Sequence, residues 1–321
     1  MREVAENNLE RGTVLVTGAN GFVGSAVTRA LRQRGNVVRA AVRRATEGDA
    51  WTMPSLEVLG DWHPLLSDCR VIVHAAARVH QPTDRALNAL SKFRAVNVAG
   101  TLHLAKQAAL SGVSRFIFLS TIGVNGSFST RPLVEQDPVC PDSPYAKSKW
   151  EAEQCLWQLG RQTGMEIVVI RAPLVYGPRA PGNFGLLARA IALGWPLPFA
   201  SIVDNRRTMI GLDNLVDLII AGIDNPAAAN QVFLAGDDES LSTAEILRRM
   251  ERVLGKKSRC FPFPPLWLDK FLCGLGKKSM ARSLCRSLEV NNAKAHRLLG
   301  WKPRFSVDQG LTLALREQVI A

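Results

Sequence analysis

The chain has 321 residues, of which 47% are hydrophobic and 21% are charged, and it contains no low-complexity segment. This length and composition suit one large α/β core, with or without a smaller lobe, and exclude long disordered regions. The formal net charge of +12 is compatible with nucleic acid, an anionic membrane or anionic small molecules as partners. Because the basic residues are scattered and no nucleic-acid-binding motif is present, we expect no nucleic acid partner and favour phosphorylated small molecules. A generally basic surface explains part of the excess.

No part of the sequence predicts export or insertion into a membrane. The segment Met1–Gly12 is charged and polar and lacks the apolar centre of a secretory signal. The most apolar run, Leu215–Ile223, is too short to span a bilayer and contains Asp217. The six cysteines form no CxxC pair and have no histidines at metal-ligand spacing. We therefore expect a soluble, cytoplasmic protein with free thiols and no metal.

The first half of the chain alternates short β-branched runs with segments of helical spacing. Runs that are apolar on both sides are typical of parallel strands covered by helices. The predicted strands are Val14–Thr17, Val37–Val42, Leu56–Leu59, Val71–His74, Phe116–Ser120, Ile167–Ile170 and, later, Val232–Leu234. The predicted helices include Ser25–Arg34, Val98–Ser111 and Ser148–Thr163. Repeated βα units predict an α/β protein with a Rossmann-type, doubly wound parallel sheet.

Glycines and prolines cluster after the last of the first-half strands, which indicates that the chain leaves the sheet and builds a second lobe. We expect residues 12–175, with about 205–235, to form a dinucleotide-binding Rossmann domain. Residues 176–204 and 236–321 are expected to form a smaller, mainly helical substrate lobe. Within it, Phe261–Leu288 mixes large apolar and basic residues. This stretch is either an amphipathic surface in peripheral contact with anionic lipid or a helical region that packs on the substrate cleft.

The segment TGANGFVG, Thr17–Gly24, follows the first predicted strand and opens a helix. In this setting Gly18 permits a tight turn, Gly21 lets the backbone approach a pyrophosphate, and Gly24 lets the helix pack on the strand. The helix N-terminus offers free N–H groups and a positive dipole end to phosphates. The segment is predicted to bind a dinucleotide cofactor through Gly18, Asn20, Gly21, Phe22, Val23 and Gly24.

The end of the second predicted strand favours NADP(H), with NAD as the alternative. NAD-binding proteins place an Asp or Glu there, which bonds the ribose hydroxyls. Here that position falls on Val42, and Arg43 and Arg44 follow. A carboxylate would repel a 2′-phosphate, whereas a guanidinium can bind it with two parallel hydrogen bonds. If both arginines are merely solvated, NAD remains open.

Three further places are predicted to border the cofactor. Asp61, after the third predicted strand, can accept a hydrogen bond from the adenine amino group. The small side chains of Ala75, Ala76 and Ala77, after the fourth strand, would admit the cofactor, whereas His74 is expected to be packed rather than catalytic. Asn97 begins a predicted helix under the same crevice, where it either contacts the cofactor or caps that helix.

Tyr145 and Lys149 lie four residues apart in YAKSK, so they share one face of a helix. The ammonium is expected to lower the pKa of the phenol, which would then exchange a proton with a hydroxyl or ketone of the substrate. Both residues would also contact the cofactor. Upstream, Thr121 ends a predicted strand at the edge where such sheets bind ligands. It is predicted to bond the reacting substrate oxygen, with Ser120 as its close competitor.

The motifs occur in the order TGANGFVG, HAAA, NVAGT, FLSTIGVNG, YAKSK and RAPLVYGP. Across nearly the whole chain the sequence resembles the extended short-chain dehydrogenase/reductase family, in its sugar-nucleotide epimerase and dehydratase branch. The resemblance implies catalysis by Thr121, Tyr145 and Lys149, a cofactor contact at Pro173, and a C-terminal lobe that holds a nucleotide sugar. It also implies a homodimer, in which the predicted helices Val98–Ser111 and Ser148–Thr163 of each subunit pack into a four-helix bundle.

Within that family the catalytic hydroxyl lies five residues before the glycine of a VYG-like element. That glycine is here Gly126, which selects Thr121, and Asn125 replaces the usual tyrosine. Sugar-nucleotide dehydratases follow their threonine with Asp-Glu, but this chain has Ile122 and Gly123. A 4,6-dehydratase activity is therefore not expected.

The resemblance also assigns residues to the diphosphate of the substrate. Asn183, after the YGP turn, and Arg207 match an asparagine and an arginine that bond this group. A planar guanidinium suits such oxygens. Arg206 is then expected in a surface ion pair. Arg282 and Arg286 are candidates for a second arginine from the C-terminal lobe.

Two reactions at C4 of a nucleotide sugar use this residue set. The first is NADPH-dependent reduction of a UDP-4-keto-6-deoxy-N-acetylhexosamine, which Val42 and Arg43 favour because a carboxylate is missing after the second strand. The second is 4-epimerisation of a UDP-sugar such as UDP-glucose or UDP-GlcNAc, in which the enzyme keeps its cofactor. A non-catalytic, NADP-binding sensor or assembly factor is a third alternative, although such proteins typically lose the tyrosine or the lysine.

Overall fold

The computed structural model describes residues 12–44, 50–79, 89–274, 276 and 278–319. Of the segment Met1–Gly12, in which no secretory signal is expected, residues 1–11 lie outside the described residues. None of the described helices has both the length and the apolar content that crossing a bilayer requires.

A seven-stranded parallel sheet forms the centre of the protein. Its strands are β1 (Thr13–Thr17), β2 (Val38–Val42), β3 (Ala50–Thr52), β4 (Cys69–His74), β5 (Arg115–Thr121), β6 (Glu166–Ala172) and β9 (Gln231–Leu234). Their order is β3-β2-β1-β4-β5-β6-β9, the doubly wound arrangement that the sequence predicts. A three-stranded sheet contains β7 (Leu174–Tyr176), β8 (Arg207–Gly211) and β10 (Ser240–Leu241). In it β7 is parallel and β10 antiparallel to β8.

Helices cover both faces of the large sheet and build most of the C-terminal part. They are α1 (Phe22–Gln33), α2 (His63–Leu66), α3 (Ala89–Arg94), α4 (Thr101–Leu110), α5 (Pro144–Thr163), α6 (Gly182–Ala192), α7 (Leu212–Asp224), α8 (Thr243–Val253), α9 (Pro265–Gly274), α10 (Lys278–Cys285), α11 (Ala293–Leu299) and α12 (Val307–Val319). A π-helical turn, Ala95–Gly100, joins α3 to α4. The Rossmann-type fold with a helical C-terminal region is therefore confirmed.

The three largest of four groups of buried apolar side chains hold these layers together. One group lies between the sheet and helices α1 and α7, and includes Val27 and Leu218. A second lies on the opposite face, under α4 and α5, and includes Leu104 and Leu156. A third joins α6, α8, α9 and α12 and contains no buried residue of the seven-stranded sheet. Because every residue of β1 is buried, its run of apolar residues does not alternate with polar ones.

The third strand lies earlier in the chain than predicted, so the strand assigned to Leu56–Leu59 is wrong. β3 precedes that run and pairs with β2. Residues 56–59 form a turn in which Leu56 is 7% exposed but Val58 is 70% exposed. A Cβ at Gly100 would lie 2.3 Å from the carbonyl oxygen of Leu56. The turn therefore packs its backbone directly on the π-helical turn, and its apolar residues do not need a sheet partner.

The helix predicted for Val98–Ser111 begins earlier than expected. Helix α3, the π-helical turn and α4 form one continuous helical segment. Asn97 lies inside that segment, so the interpretation of Asn97 as a helix cap is wrong. A π-helical turn inserts an extra residue into a helix and re-aims the side chains that follow, and such turns are frequent at functional sites.

Candidate active site

The turn after β1 carries no side chain where the backbone comes closest to its neighbours. Gly18 has φ of +67°, a left-handed conformation that residues with a Cβ rarely adopt. A Cβ at Gly18 would lie 2.9 Å from Cα of Ala76, and one at Gly24 would lie 2.1 Å from the carbonyl oxygen of Gly18. Both positions require glycine, in agreement with the tight turn and close helix packing predicted from the motif.

A cleft of about 350 Å³ opens beside this turn. Helix α1 begins at Phe22 with Gly21 as its N-cap and no acidic residue in its first turn, so its free N–H groups can receive an anion. Phe22, Val23 and Gly24 supply that first turn rather than the lining. The lining consists of Gly18, Asn20, Gly21, Arg43, Met53, Ser55, Leu56, Glu57, Ala75, Ala76, Ala77, Arg78, Val79 and Val96. Small side chains, bare backbone and a helix N-terminus suit the adenosine diphosphate half of a dinucleotide.

A guanidinium rather than a carboxylate stands at the end of β2. Val42 is 5% exposed and closes the strand. The exposed Arg43 lines the cleft, whereas Arg44 is exposed but lies outside the lining. Glu57 brings one negative charge to the same cleft, and Arg78 approaches it at 3.9 Å. Of the two predicted arginines, the structure thus brings only Arg43 to the lining of this cleft.

Asp61 does not line the cleft, and its predicted contact with adenine is not supported by its position. Its Oδ1 accepts a hydrogen bond from the backbone N–H of His63 at 3.0 Å and lies 2.7 Å from Nδ1 of that ring. These bonds lower the pKa of Asp61. Since β3 ends at Thr52, the segment that follows the strand into the cleft is 53–57. Segment 53–57 was not predicted to line the cleft because the third strand was predicted at Leu56–Leu59, which overlaps it.

His74, at the end of β4, is packed as predicted. It is fully buried, with Nδ1 2.8 Å from Oγ1 of Thr17 and Nε2 3.0 Å from Oγ1 of Thr101. Burial, assisted by the charge of Lys149, lowers the pKa of His74 to about 3. The imidazole is therefore neutral and ties β1 and β4 to the helix behind them.

Asn97 fastens the floor of the cleft to the helix of the predicted catalytic residues. Its Oδ1 accepts from the N–H of Arg78 at 2.8 Å, and its Nδ2 donates to the carbonyl of Arg78 at 3.0 Å. Nδ2 also donates to Oγ of Ser148 at 3.0 Å. Val96, its neighbour in the π-helical turn, lines the cleft. Asn97 is 1% exposed and acts as a clamp beneath the site.

Tyr145 is the second residue of α5, which starts four residues before the prediction because Ser143 caps it. Oγ of Ser143 accepts from the N–H of Ala146 at 3.1 Å, and Pro144 occupies the first helical position. The half-buried Tyr145 ring packs edge-on against Phe93, with 6.0 Å between the ring centroids. Burial raises the pKa of Tyr145 to about 12. The expected lowering of this pKa by Lys149 is therefore wrong for the protein alone, because desolvation favours the neutral phenol.

Lys149 is held rigidly one turn further along α5. It is 2% exposed, its Nζ donates to the carbonyl of Leu119 at 2.8 Å, and Nζ lies 4.3 Å from the centre of the Phe118 ring. Burial lowers the pKa of Lys149 to about 7, and the carboxylate of Glu153 partly opposes this shift. The ammonium is therefore anchored on β5, next to the strand end that carries Thr121.

A buried ionic network that sequence analysis missed supports this lysine. The side chains of Glu153 and Arg171 are 0% and 4% exposed, and Nη2 of Arg171 donates to Oε2 of Glu153 at 2.6 Å. Ser120 donates to Oε1 of the same carboxylate at 2.5 Å, and Asn125 accepts from Nη1 of Arg171 at 3.0 Å. Glu153 lies four residues after Lys149, and that spacing was the available signal.

The network distinguishes Thr121 from its competitor. Ser120 is buried and its hydroxyl is engaged by Glu153. Thr121, the last residue of β5, is half-buried, and its Oγ1 accepts from the N–H of Gly123 at 3.2 Å. Because successive side chains of a strand point to opposite sides, only one of the two hydroxyls can face the substrate. Because the hydroxyl of Ser120 bonds Glu153, the geometry favours Thr121, as predicted.

The second pocket begins two residues beyond the strand partner of Thr121. That partner is Ala172 of β6, and the buried Pro173 then ends the strand before β7 starts at Leu174. Pro173 has no N–H to continue the ladder, so the chain can leave the sheet here. The pocket, of about 70 Å³, is lined by Leu174, Asn183, Phe184, Leu187, Arg207, Met209, Thr243, Ile246, Leu247, Ser283 and Leu284.

Both residues predicted to bind the substrate diphosphate meet in this pocket. Asn183 donates to Oγ of Ser283 at 3.0 Å. Arg207 donates to the carbonyl of Arg286 at 2.9 Å, and burial lowers its pKa to about 10, so it stays charged at neutral pH. Within the described residues no carboxylate forms an ion pair with Arg207. The pocket therefore presents a cation without a counter-ion.

The other arginines proposed for this region have partners of their own. Arg206 lies 3.4 Å from Glu245 in an exposed ion pair, as expected. Arg282 pairs with Asp142 and donates to Ser127 at 3.3 Å. The guanidinium of Arg286 lies 5.7 Å from the ring of Phe128, while its carbonyl holds Arg207. Of the seven arginines described on or next to β8, α8 and α10, at 206, 207, 248, 249, 252, 282 and 286, only Arg207 lines the pocket.

Comparison with known proteins places this geometry in a family. The sequence matches the NAD dependent epimerase/dehydratase family over residues 14–236. A UDP-glucose 4-epimerase of Vibrio cholerae is 40% identical over 305 residues, which cover 93% of each chain. An N-acetyl-alpha-D-glucosaminyl-diphospho-ditrans,octacis-undecaprenol 4-epimerase of Escherichia coli O157:H7 is 27% identical over 327 residues, which cover 96% of this chain and 95% of that protein.

A solved structure has the same fold. The UDP-glucose 4-epimerase of Thermotoga maritima, crystallised with UDP-glucose, superposes with a TM-score of 0.76 at 23% identity, covering 95% of this chain and 97% of that one. At this identity the likeness shows the fold alone. The family match covers most of the chain, and the Vibrio relative is similar along nearly all of its length. The chain therefore belongs to the NAD dependent epimerase/dehydratase family and is an enzyme of the extended short-chain dehydrogenase/reductase type.

Proposed function

We propose that the protein is a UDP-sugar 4-epimerase, which inverts C4 of a UDP-hexose or UDP-N-acetylhexosamine with a nicotinamide dinucleotide as cofactor. The observation that supports this proposal is the anchoring of Lys149, one turn after Tyr145 on α5, to the strand that ends at Thr121. The lining of the Arg207 pocket includes Leu174, two residues past the strand partner of Thr121. The similarity to the Vibrio cholerae UDP-glucose 4-epimerase supports it.

Proton transfer falls to Tyr145. A tyrosine whose phenolate faces the C4 hydroxyl can take the hydroxyl proton while C4 is oxidised to a ketone, and return it to the same oxygen when the ketone is reduced from its opposite face. Thr121 donates or accepts a hydrogen bond at the same oxygen and so fixes its position. In the protein alone burial keeps Tyr145 neutral. Lys149, with a pKa of about 7, is partly protonated at neutral pH, and its ammonium would favour the phenolate once substrate and cofactor are bound. Glu153 stabilises that ammonium from one turn below.

The backbone of the glycine turn and the N-terminus of α1 would hold the pyrophosphate of the cofactor, and Ala75–Ala77 would border it. When bound, the cofactor supplies the hydride acceptor and donor of the reaction. The ribose end would lie near Arg43. Preference for NADP over NAD is part of this proposal, and Arg43 in the cleft lining supports it.

Arg207 and Asn183 would bind the diphosphate of the UDP-sugar. The half-buried guanidinium of Arg207, which among the described residues is held by one backbone carbonyl, retains donors for an anion. The amide of Asn183, which now bonds Ser283, can turn to a phosphate oxygen without breaking any ion pair. The pocket's apolar walls would strengthen both contacts because water is kept away.

Reduction of a UDP-4-keto-6-deoxy-N-acetylhexosamine is the second candidate. The same Tyr145 and Thr121 would protonate and orient the ketone oxygen. The specific observation in its favour is the end of β2, where a buried Val42 and a cleft-lining Arg43 suit a cofactor that is exchanged as NADP(H). Binding as a non-catalytic sensor is the weakest alternative, because the tyrosine, the lysine and the hydroxyl are all in place.

One experiment separates these functions. Purified protein is incubated with UDP-glucose and with UDP-GlcNAc without added cofactor, and the C4 epimers are resolved by chromatography. In a second arm, NADPH consumption is followed with a UDP-4-keto-6-deoxy-N-acetylhexosamine. Epimers in the first arm support the proposal, and consumption in the second arm alone supports the reductase. Tyr145→Phe should lower either rate by about 10²–10⁴-fold while cofactor binding persists. The absence of turnover in both arms would favour the non-catalytic sensor.

A further inference from the structure

Helix α9 is amphipathic in a way that core packing does not explain. Its inner face carries Leu268 and Leu272, which are 4% and 9% exposed. Its outer face carries Leu266, Trp267 and Phe271, which are 76%, 69% and 63% exposed. The outer residues are spaced by one and four positions, so they share one side of the helix. We call these three residues, together with Lys270, the α9 surface.

Basic residues lie on this helix and in the turn that precedes it in the chain. Lys270 is exposed and lies one residue before Phe271, on the outer side of the helix. The turn between α8 and α9 exposes Lys256, Lys257 and Arg259. Among the described residues no carboxylate lies within ion-pair distance of any of the three lysines, and Arg259 donates to the carbonyl of Gly194. Asp269 is a carboxylate of the same helix, but the four basic residues outnumber it, so α9 and the turn before it carry a net positive charge.

Water is a poor environment for this combination. Large apolar side chains on one helix face are normally buried against a partner. A single exposed apolar side chain needs no explanation, but a patch of three neighbouring ones does. Leucine, tryptophan and phenylalanine beside flexible lysines match the interface of a bilayer, where the rings enter the acyl boundary and the ammonium groups reach the phosphates. Positive charge also attracts an anionic lipid surface over a Debye length.

The α9 surface lies behind the substrate pocket. Helix α9 packs on α10, and α10 supplies Ser283, which lines the pocket and bonds Asn183. The inner face of α9 joins the same buried cluster as Phe184 of α6. A partner that contacts the outer face of α9 would thus leave the residues of the pocket in place.

We propose that the α9 surface docks the protein on an anionic lipid bilayer as a peripheral contact, with the three apolar side chains inserted and the nearby cations on the headgroups. This goes beyond the proposed catalytic function and does not depend on it. Of the two interpretations that the sequence left open for Phe261–Leu288, the proposal assigns lipid contact to the outer face of α9, while the inner face of α9 and helix α10 pack beside the pocket.

The test is co-sedimentation of the full-length protein with vesicles. Vesicles of phosphatidylethanolamine and phosphatidylglycerol should bind the wild type, and vesicles of phosphatidylcholine alone should bind it weakly. The variant L266S/W267S/F271S should lower the partition coefficient by about tenfold or more, because the inserted apolar area is lost. Lys270→Glu should lower it by about fivefold or more, and added salt should weaken binding.

A matched variant controls for general hydrophobicity. V37S/V58S/L110S removes three apolar side chains that are 51%, 70% and 83% exposed in the N-terminal half, and it should bind vesicles like the wild type. Fluorescence of Trp267, obtained as the difference between wild type and Trp267→Phe, should shift to the blue on anionic vesicles. Turnover of a soluble UDP-sugar should be the same in the L266S/W267S/F271S variant.

Three outcomes would overturn the proposal. The first is a wild type that does not bind anionic vesicles. The second is equal vesicle binding by the two triple variants. The third is a wild-type oligomer, measured by light scattering, that dissociates in L266S/W267S/F271S while vesicle binding is absent, since the α9 surface would then be an interface between two copies of this chain. None of these readouts depends on catalysis.

Discussion

The cofactor cleft and the substrate pocket are built on opposite plans. The cleft is made largely of backbone and small side chains, as at Gly18 and Ala75–Ala77, which follow β1 and β4 directly. The pocket is made of larger side chains from distant segments, and its bond between Asn183 and Ser283 spans 100 residues. A site made of backbone therefore tolerates little added side-chain volume. A site made of side chains depends instead on the identity of residues that are distant in the sequence and meet in the fold.

Gly24→Ala should have the largest effect, and it breaks the backbone plan of the cleft. The added Cβ would lie 2.1 Å from the carbonyl oxygen of Gly18, so the turn must move. We expect a loss of about 3 kcal/mol in the free energy of unfolding and a dinucleotide Kd raised about 100-fold, measured by urea denaturation and calorimetry. Gly274→Ala, where a Cβ meets nothing within 4 Å, is the control. Equal behaviour of the two variants would contradict the tight turn.

Arg207→Ala should be next, and it tests the side-chain plan of the pocket. Under the proposed function, removing this partly buried guanidinium removes a bond to the diphosphate and should cost about 2 kcal/mol, which raises KM for the UDP-sugar about 30-fold. The control is Arg206→Ala, which removes the neighbouring arginine in an exposed ion pair and should change KM less than about twofold. If the two variants exchange these effects in steady-state kinetics, the register of this strand is assigned wrongly.

His74 should make the free energy of unfolding fall at acid pH, because it is buried between β1, β4 and α4. Its pKa is about 3 in the folded protein, against 6.5 for a solvated histidine side chain such as the unfolded chain presents. Between these values the unfolded chain binds more protons, so stability is present above pH 6.5 and falls as the pH drops. By about pH 5 the loss should be about 2 kcal/mol. His74→Gln should remove that share of the pH dependence in urea unfolding at several pH values. An unchanged pH slope would show that the imidazole is charged in the folded protein.

Arg43→Ala should give the smallest effect, because this side chain is exposed. We expect the Kd of NADPH to rise about tenfold or less and that of NADH to stay within about twofold, as measured by fluorescence titration. Arg44→Ala, outside the cleft lining, should affect neither. If the Kd values of NADPH and NADH rise equally, Arg43 does not distinguish the two cofactors, and the cleft would then select its ligand by the shape of its backbone alone.

The sequence alone determined the parts of this protein that depend on neighbours in the chain. The glycine turn could be predicted because φ and close contact at Gly18 and Gly24 are properties of a short loop between a strand and a helix. Tyr145 and Lys149 could be paired because four residues make about one helical turn. The parallel sheet followed from apolar runs at regular intervals, although the placement of the third strand on Leu56–Leu59 was wrong.

Only the tertiary structure decided which side chains meet across the fold. It assigned Asn97 to a clamp on Arg78 and Ser148, and joined Glu153, Arg171 and Ser120 beneath Lys149. It also placed segment 53–57, rather than Asp61, in the cofactor cleft, and completed the substrate pocket with Ser283. The physical reason is that local spacing fixes backbone geometry, whereas a hydrogen bond between remote residues depends on the packing of every layer between them.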